Sequence, residues 1–142
     1  DTLMSLRIWG DEALVTQTED TLRSLEACFR HGKDSDIARL NRNGTAELQP
    51  QTADLLQQAL DCAARTGGAF DPTVYPLVCL WASLREYHIP TEAELTGALA
   101  HTGPQHLQLD GAAAASIRAA ASTSAALAKG YAAEQCAHQL EE

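Results

Sequence analysis

The chain has no Cys-x-x-Cys pair and no histidine at metal-ligand spacing beside a cysteine. Its four cysteines, Cys28, Cys62, Cys79 and Cys136, therefore read as buried or half-buried thiols ahead of a zinc site or a disulfide framework. They leave the redox compartment open. Positive charge is also scarce: 10 Lys and Arg stand against 19 Asp and Glu, a formal net charge of −9, and the basic residues are dispersed. Nucleic-acid binding needs a basic stripe that displaces phosphate counterions, so a nucleic-acid partner is not expected. A phosphate-bearing ligand would have to be held locally, by backbone N–H groups, a helix N-terminus, one lysine or a divalent cation. There is no apolar run of membrane-spanning length, no signal peptide and no internal repeat. Because the chain opens within a motif at Asp1, a leader removed upstream remains compatible with it. At 142 residues the whole chain, 1–142, reads as one domain large enough to bury a core without staples.

What is present is a mixture of helical and strand periodicities without regular β-α-β alternation, which favours the α+β class. Residues 2–9 alternate roughly between apolar and polar and read as a strand running into Gly10. Over residues 11–30, Ala13, Leu14, Leu22, Leu25 and Phe29 recur at helical spacing. Ser35 is placed to cap a short helix carrying Ile37, Leu40 and Asn41, and Asn43-Gly44 signals a turn into a strand over residues 45–48. Pro50 and Thr52 open a helix with an apolar face of Leu55, Leu56, Ala59, Leu60 and Ala63, ended by Gly67-Gly68. The T-x-x-E of Thr91 and Glu94 predicts a capping box and a helix over residues 92–101. A hairpin is expected from a strand over 105–110, an Asp110-Gly111 turn and a return strand over 116–120, with a last helix from about Thr123 to the C-terminus.

Residues 66–77 read T-G-G-A-F-D-P-T-V-Y-P-L. Two glycines free the backbone to adopt positive φ and bring N–H groups close to a ligand, and Asp71 stands directly before a proline. With S-D-I-A-R-L-N at 35–41 and A-L-A-K-G-Y-A at 126–132, this stretch closely resembles, in order and approximate spacing, the flavin-binding segments of the ApbE family of FAD:protein FMN transferases. The resemblance covers nearly the whole chain and matches about the first half of a family member. It implies an antiparallel sheet packed with helices, and phosphoryl transfer in which the FAD pyrophosphate is cleaved and FMN is esterified to a threonine of a target protein. Positioning and charge neutralisation, usually by Mg²⁺, dominate such chemistry.

Several residues take roles from the resemblance. Ala69, Phe70 and Asp71 match the segment that contacts the flavin, where a carboxylate and backbone groups can hydrogen-bond the ring edge; read from the residues alone, Asp71-Pro72 also fits a turn in which Asp71 caps its own backbone. His31 falls where members often stack an aromatic on the cofactor, although a lone histidine before a glycine also suits solvent. Asn41 reads as a tie between loop and core, Arg39 as an exposed helix cation, and Tyr75, Trp81 and Tyr87 as core packing or the wall of an aromatic pocket.

The segment at 123–130 departs from the family's D-x-G-G-x-A-K-G. Thr123 replaces the Asp that contacts FAD and alanines replace both glycines, so Thr123 fits a helix N-cap as well as a ligand contact. A carbonyl ligand to Mg²⁺ at Ala126 survives such changes if the backbone path is kept, and Lys129 is placed for a phosphate. The family's metal-binding Asp and Thr come from a second half, and no D-x-x-x-T-like substitute is visible near this C-terminus. The expectations are therefore weak FAD binding, negligible transferase activity of this chain alone, and self-association as a homodimer or pairing with a partner that supplies the missing half. A catalytically degenerate FAD-binding or protein-interaction module is the alternative. An extracytoplasmic location is implied by the resemblance alone.

Overall fold

The computed structural model describes residues 5, 7–29, 34–82, 89–110, 114–117 and 125–141. In chain order the elements are α1 (Glu12–Phe29), α2 (Asp36–Asn43), β1 (Thr45–Glu47), α3 (Pro50–Arg65), α4 (Tyr75–Ala82), α5 (Glu92–Leu99), a 3-10 turn (Pro104–His106), β2 (Leu107–Leu109), β3 (Ala114–Ile117) and α6 (Ala125–Glu141). The chain is thus mixed and rich in helix, with few strands. The three strands pair in the order β1-β3-β2, both pairs antiparallel, with Ala46 opposite Ala115 and Gln108 opposite Ser116.

Local chemistry starts and stops these helices. Asp11 accepts from the Ala13 N–H at 2.9 Å at the head of α1, and the Ser35 hydroxyl accepts from the Ala38 N–H at 3.1 Å at the head of α2. Gly44 ends α2 at φ 74°, a conformation that favours glycine, and the chain passes straight into β1. Pro50 begins α3, where its missing N–H is not needed. Thr91 and Glu94 form the reciprocal capping box of α5, which ends at Leu99 rather than 101.

Helix α3 lies between two apolar clusters. On one side Ala53 and Leu56 pack with Ile37, Leu40, Leu48 and Leu107; on the other, Leu55 packs with Leu25, Phe29, Tyr131 and Ala132. Leu55 and Leu56 are both 0% exposed, so consecutive residues of one helix serve different sides of the core.

Three expectations change. Ser5 and residues 7–9 join none of the described strands, and Trp9 is 88% exposed; the rest of the strand expected over 2–9 lies outside the described residues. An alternating pattern makes a strand only where a neighbour takes its N–H and C=O groups. Residues 75–82 form a helix that the sequence reading did not assign, with Pro76 tolerated in its first turn. Trp81 is then 55% exposed and does not pack in the core, while Tyr75 is half-buried, because α4 packs chiefly on α5. Tyr87 lies outside the described residues.

Candidate functional site

The glycine loop leaves the C-terminal end of α3. Gly67 and Gly68 take φ of 60° and 85°, and a Cβ on either would meet nothing within 4 Å, so glycine is required there by conformation and not by space. The N–H groups of the turn do not point at a ligand, contrary to the expectation. Gly67 donates to the Ala64 carbonyl, Gly68 to Ala63, Ala69 to Thr66, and Phe70 to the Thr66 hydroxyl at 3.1 Å. The last carbonyls of a helix lack intrahelical donors, and this turn supplies them. What the turn leaves for a ligand includes an acceptor, the half-buried carboxylate of Asp71.

Asp71 makes the local turn that its own residues predict. Its Oδ1 accepts from the Thr73 N–H at 2.7 Å and from the Thr73 hydroxyl at 2.6 Å, a local turn that orients the carboxylate. Oδ2 has no hydrogen-bond partner among the described residues. Ala69 is exposed and Phe70 half-buried on the same turn.

The segment at 35–41 is a structural knot. Asp36 is 3% exposed; its Oδ2 accepts from the Gln49 N–H at 2.7 Å and its Oδ1 from the Arg39 guanidinium. Arg39, expected as an exposed helix cation and 39% exposed at its side chain, also donates to the Asp34 carbonyl at 2.6 Å and the Glu47 carbonyl at 3.4 Å. It is held because its planar fork reaches the turn before α2 and the strand after it at once. Asn41 is half-buried, but its Oδ1 has no hydrogen-bond partner among the described residues, so that oxygen does not make the tie expected of it.

On α6, Lys129 is exposed, while Tyr131 two residues on is 4% exposed and meets Phe29 edge to face at 5.8 Å and 74°. Tyr131 packs with Leu55 in the first turns of α3. The glycine loop leaves the other end, roughly 16 Å further along at 1.5 Å per residue. Ala126 lies in the first turn of α6, where helical geometry directs its carbonyl toward Gly130. His31 and Thr123 lie outside the described residues.

Burial raises the Tyr131 hydroxyl well above its ordinary 10.0, with the hydrogen bond to Asp54 and the Asp54 charge adding to it. Burial likewise pushes the Cys28 and Cys136 thiols above 9.0. All three are protonated in the fold and ionise more easily when unfolded. Their contribution is complete below the unfolded values and is lost as pH climbs toward the folded ones. Stability should accordingly fall above about pH 9 and more steeply above about pH 10. Tyr131→Phe should flatten the steeper limb in urea titrations; an unchanged limb would show that Tyr131 does not set it.

Among the described residues no group of three or more His, Cys, Asp or Glu side chains could hold a metal ion. One helical carbonyl at Ala126 is not a magnesium donor set, since that ion demands near-octahedral oxygen coordination. A cleft of about 330 Å³ lies elsewhere, between α1, α3 and α6, lined by Gln17, Asp20, Thr21, Gln51, Gln135 and Gln139 among others. It contains no cation and none of the expected site residues.

A helix-rich α+β chain with an acceptor-bearing glycine loop after its central helix is the class that fold and site define. The chain belongs to the ApbE family, whose profile matches residues 1–142. It is 42% identical to the FAD:protein FMN transferase of Salmonella typhimurium over 54% of this chain and 23% of that protein. To the FAD:protein FMN transferase of Haemophilus influenzae it is 27% identical over 99% of this chain and 46% of that protein. Its fold is similar to the flavinyl transferase ApbE of Pseudomonas stutzeri, with a TM-score of 0.83 and 28% identity over 92% of this chain and 46% of that one. The flavin transferase ApbE of Vibrio cholerae gives a TM-score of 0.83 at 27% identity, over 97% and 47% of the two chains. The chain spans less than half the length of each of these relatives.

Proposed function

We propose that this chain carries the flavin-binding portion of an FAD:protein FMN transferase, the family's reaction being transfer of FMN from FAD to a threonine of a target protein. The observation that supports it most is the loop after α3, where Asp71 is oriented through one oxygen and keeps the other for a ligand. His31, Ala69, Phe70 and Thr123 are the further proposed flavin contacts, with Lys129 facing the phosphates. Mg²⁺ and its proposed carbonyl ligand at Ala126 belong to the family reaction. The described residues do not fit that ion.

Transfer by this chain alone should be negligible, because the charge on the transferring phosphoryl group is left without its main stabiliser. FAD binding should be weak and carried by the flavin ring. A lost hydrogen bond to a charged group weakens binding by about 1.5–3 kcal/mol, roughly one to two orders of magnitude in Kd. Asp71→Ala should therefore weaken FAD binding more than Lys129→Ala, which removes an exposed point charge. Calorimetry is the test: equal losses in the two variants, or no FAD binding at high ligand concentration, would defeat this reading. Mg²⁺-dependent labelling of a threonine acceptor by the chain alone would defeat the proposed inactivity.

A second reading, an interaction module, is favoured by one observation. Val78, Trp81 and Leu99 on α4 and α5, with Ile89 just before α5, are 40%, 55%, 57% and 71% exposed. Large apolar side chains gathered in this way suit association, either as a symmetric homodimer or with a partner chain.

A further inference from the structure

Thr73 is 0% exposed, and its hydroxyl uses both of its roles. It accepts from the Gly103 N–H at 2.6 Å, across from the connection between α5 and the 3-10 turn, and it donates to Asp71 Oδ1 at 2.6 Å. Accepting from Gly103 leaves the hydroxyl proton directed at Asp71, and the Thr73 N–H reaches the same oxygen at 2.7 Å. Oδ1 therefore faces two donors fixed by a buried residue that is tied to a distant segment. Oδ2 is left as an acceptor without a partner among the described residues.

We infer that Thr73 is the positioning residue of this loop, holding Asp71 so that Oδ2 accepts a hydrogen bond from the ring N–H on the pyrimidine edge of a flavin. This rests on the flavin-binding reading above. An ionised carboxylate only accepts, so it selects a donor on the ligand, and the oxidised isoalloxazine carries one ring N–H, at N3. The N–H groups of residues 67–70 are consumed within the turn, so those four residues add no donor that would favour a phosphate in its place. Thr73 touches no ligand and acts through Asp71.

The test pairs protein variants with a ligand variant. Riboflavin, N3-methylriboflavin and ADP are titrated against the 142-residue chain, Thr73→Val, Thr73→Ser and Asp71→Asn, with a thermal melt for each. The unaltered chain should prefer riboflavin over its N3-methyl form by about ten-fold or more, the loss expected for one hydrogen bond to a charged group. Thr73→Ser should keep that preference. Thr73→Val and Asp71→Asn should lose it, leaving the two flavins nearly equal and any ADP binding unchanged. A structural role alone would weaken all ligands together and leave the preference intact, and that result would overturn the inference. Should Thr73→Val not fold, Asp71→Asn and the serine rescue carry the comparison. If the unaltered chain binds no flavin, the flavin reading falls and this inference with it; if it binds flavin and Thr73→Val keeps the preference, the inference alone falls.

Discussion

Leu56→Ala is expected to destabilise the fold by about 2–5 kcal/mol, a large share of the roughly 5–15 kcal/mol that holds a domain together. Leu56 is 0% exposed and meets Ile37 and Leu40 from α2, Leu48 after β1, Ala53 from its own helix and Leu107 from β2. Truncation would leave a void whose walls belong to four separate elements, none able to collapse inward without dragging its own hydrogen bonds. Leu55→Ala should cost a similar amount by opening the other cluster, around Phe29 and Tyr131. Urea denaturation checks both. A loss below about 1 kcal/mol for Leu56→Ala would mean that the site repacks and that the two-sided role of α3 is wrong.

The second large effect is expected at Asp36. Replacement by Ala removes the acceptor for the Gln49 N–H that leads into α3, together with the anchor for the Arg39 guanidinium. A hydrogen bond to a charged group contributes about 1.5–3 kcal/mol, and a loss in that range is expected. Asp36→Asn keeps an acceptor for Gln49 but not the charge opposite Arg39, whose side chain is 39% exposed. Asp36 is buried, but solvent screens the guanidinium end of the pair and lowers its contribution, so Asn should recover part of what Ala loses. Equal losses in both variants would show that the pairing with Arg39, and not the bond to Gln49, fixes the start of α3.

Much of this was legible because the signals are local. Ser35 and the Thr91–Glu94 pair announce helix starts through groups within three residues of the orphan N–H they satisfy, and Pro50 through the N–H it lacks; α2, α3 and α5 start there. The face of α3 was equally plain, since Leu55, Leu56, Ala59 and Ala63 are buried at helical spacing. Misreadings came where the answer depends on distant residues. Arg39 looks merely exposed until Glu47 and Asp34 are seen beside it, and Trp81 looks like core until α4 is found packed chiefly on α5. The glycine pair correctly signalled positive φ, but which partners take its N–H groups is decided by the orphan carbonyls at the end of α3. Thr73 was missed although Asp-x-Thr is a recognisable turn pattern. Its importance comes from Gly103, 30 residues away in the chain.

Helices α4 and α5 lean mainly on each other: no side chain of residues 75–81 is fully buried, and α5 buries only Ala98. Such a pair should behave as a separate cooperative unit, opening at a lower free energy than α3 and exchanging its amide hydrogens while the two central clusters stay closed. The Gly103 N–H bonded to Thr73 sits just beyond this unit, so each opening would briefly release the strap on Asp71. The exchange rate of one amide would then report how often the loop around Asp71 loses its shape.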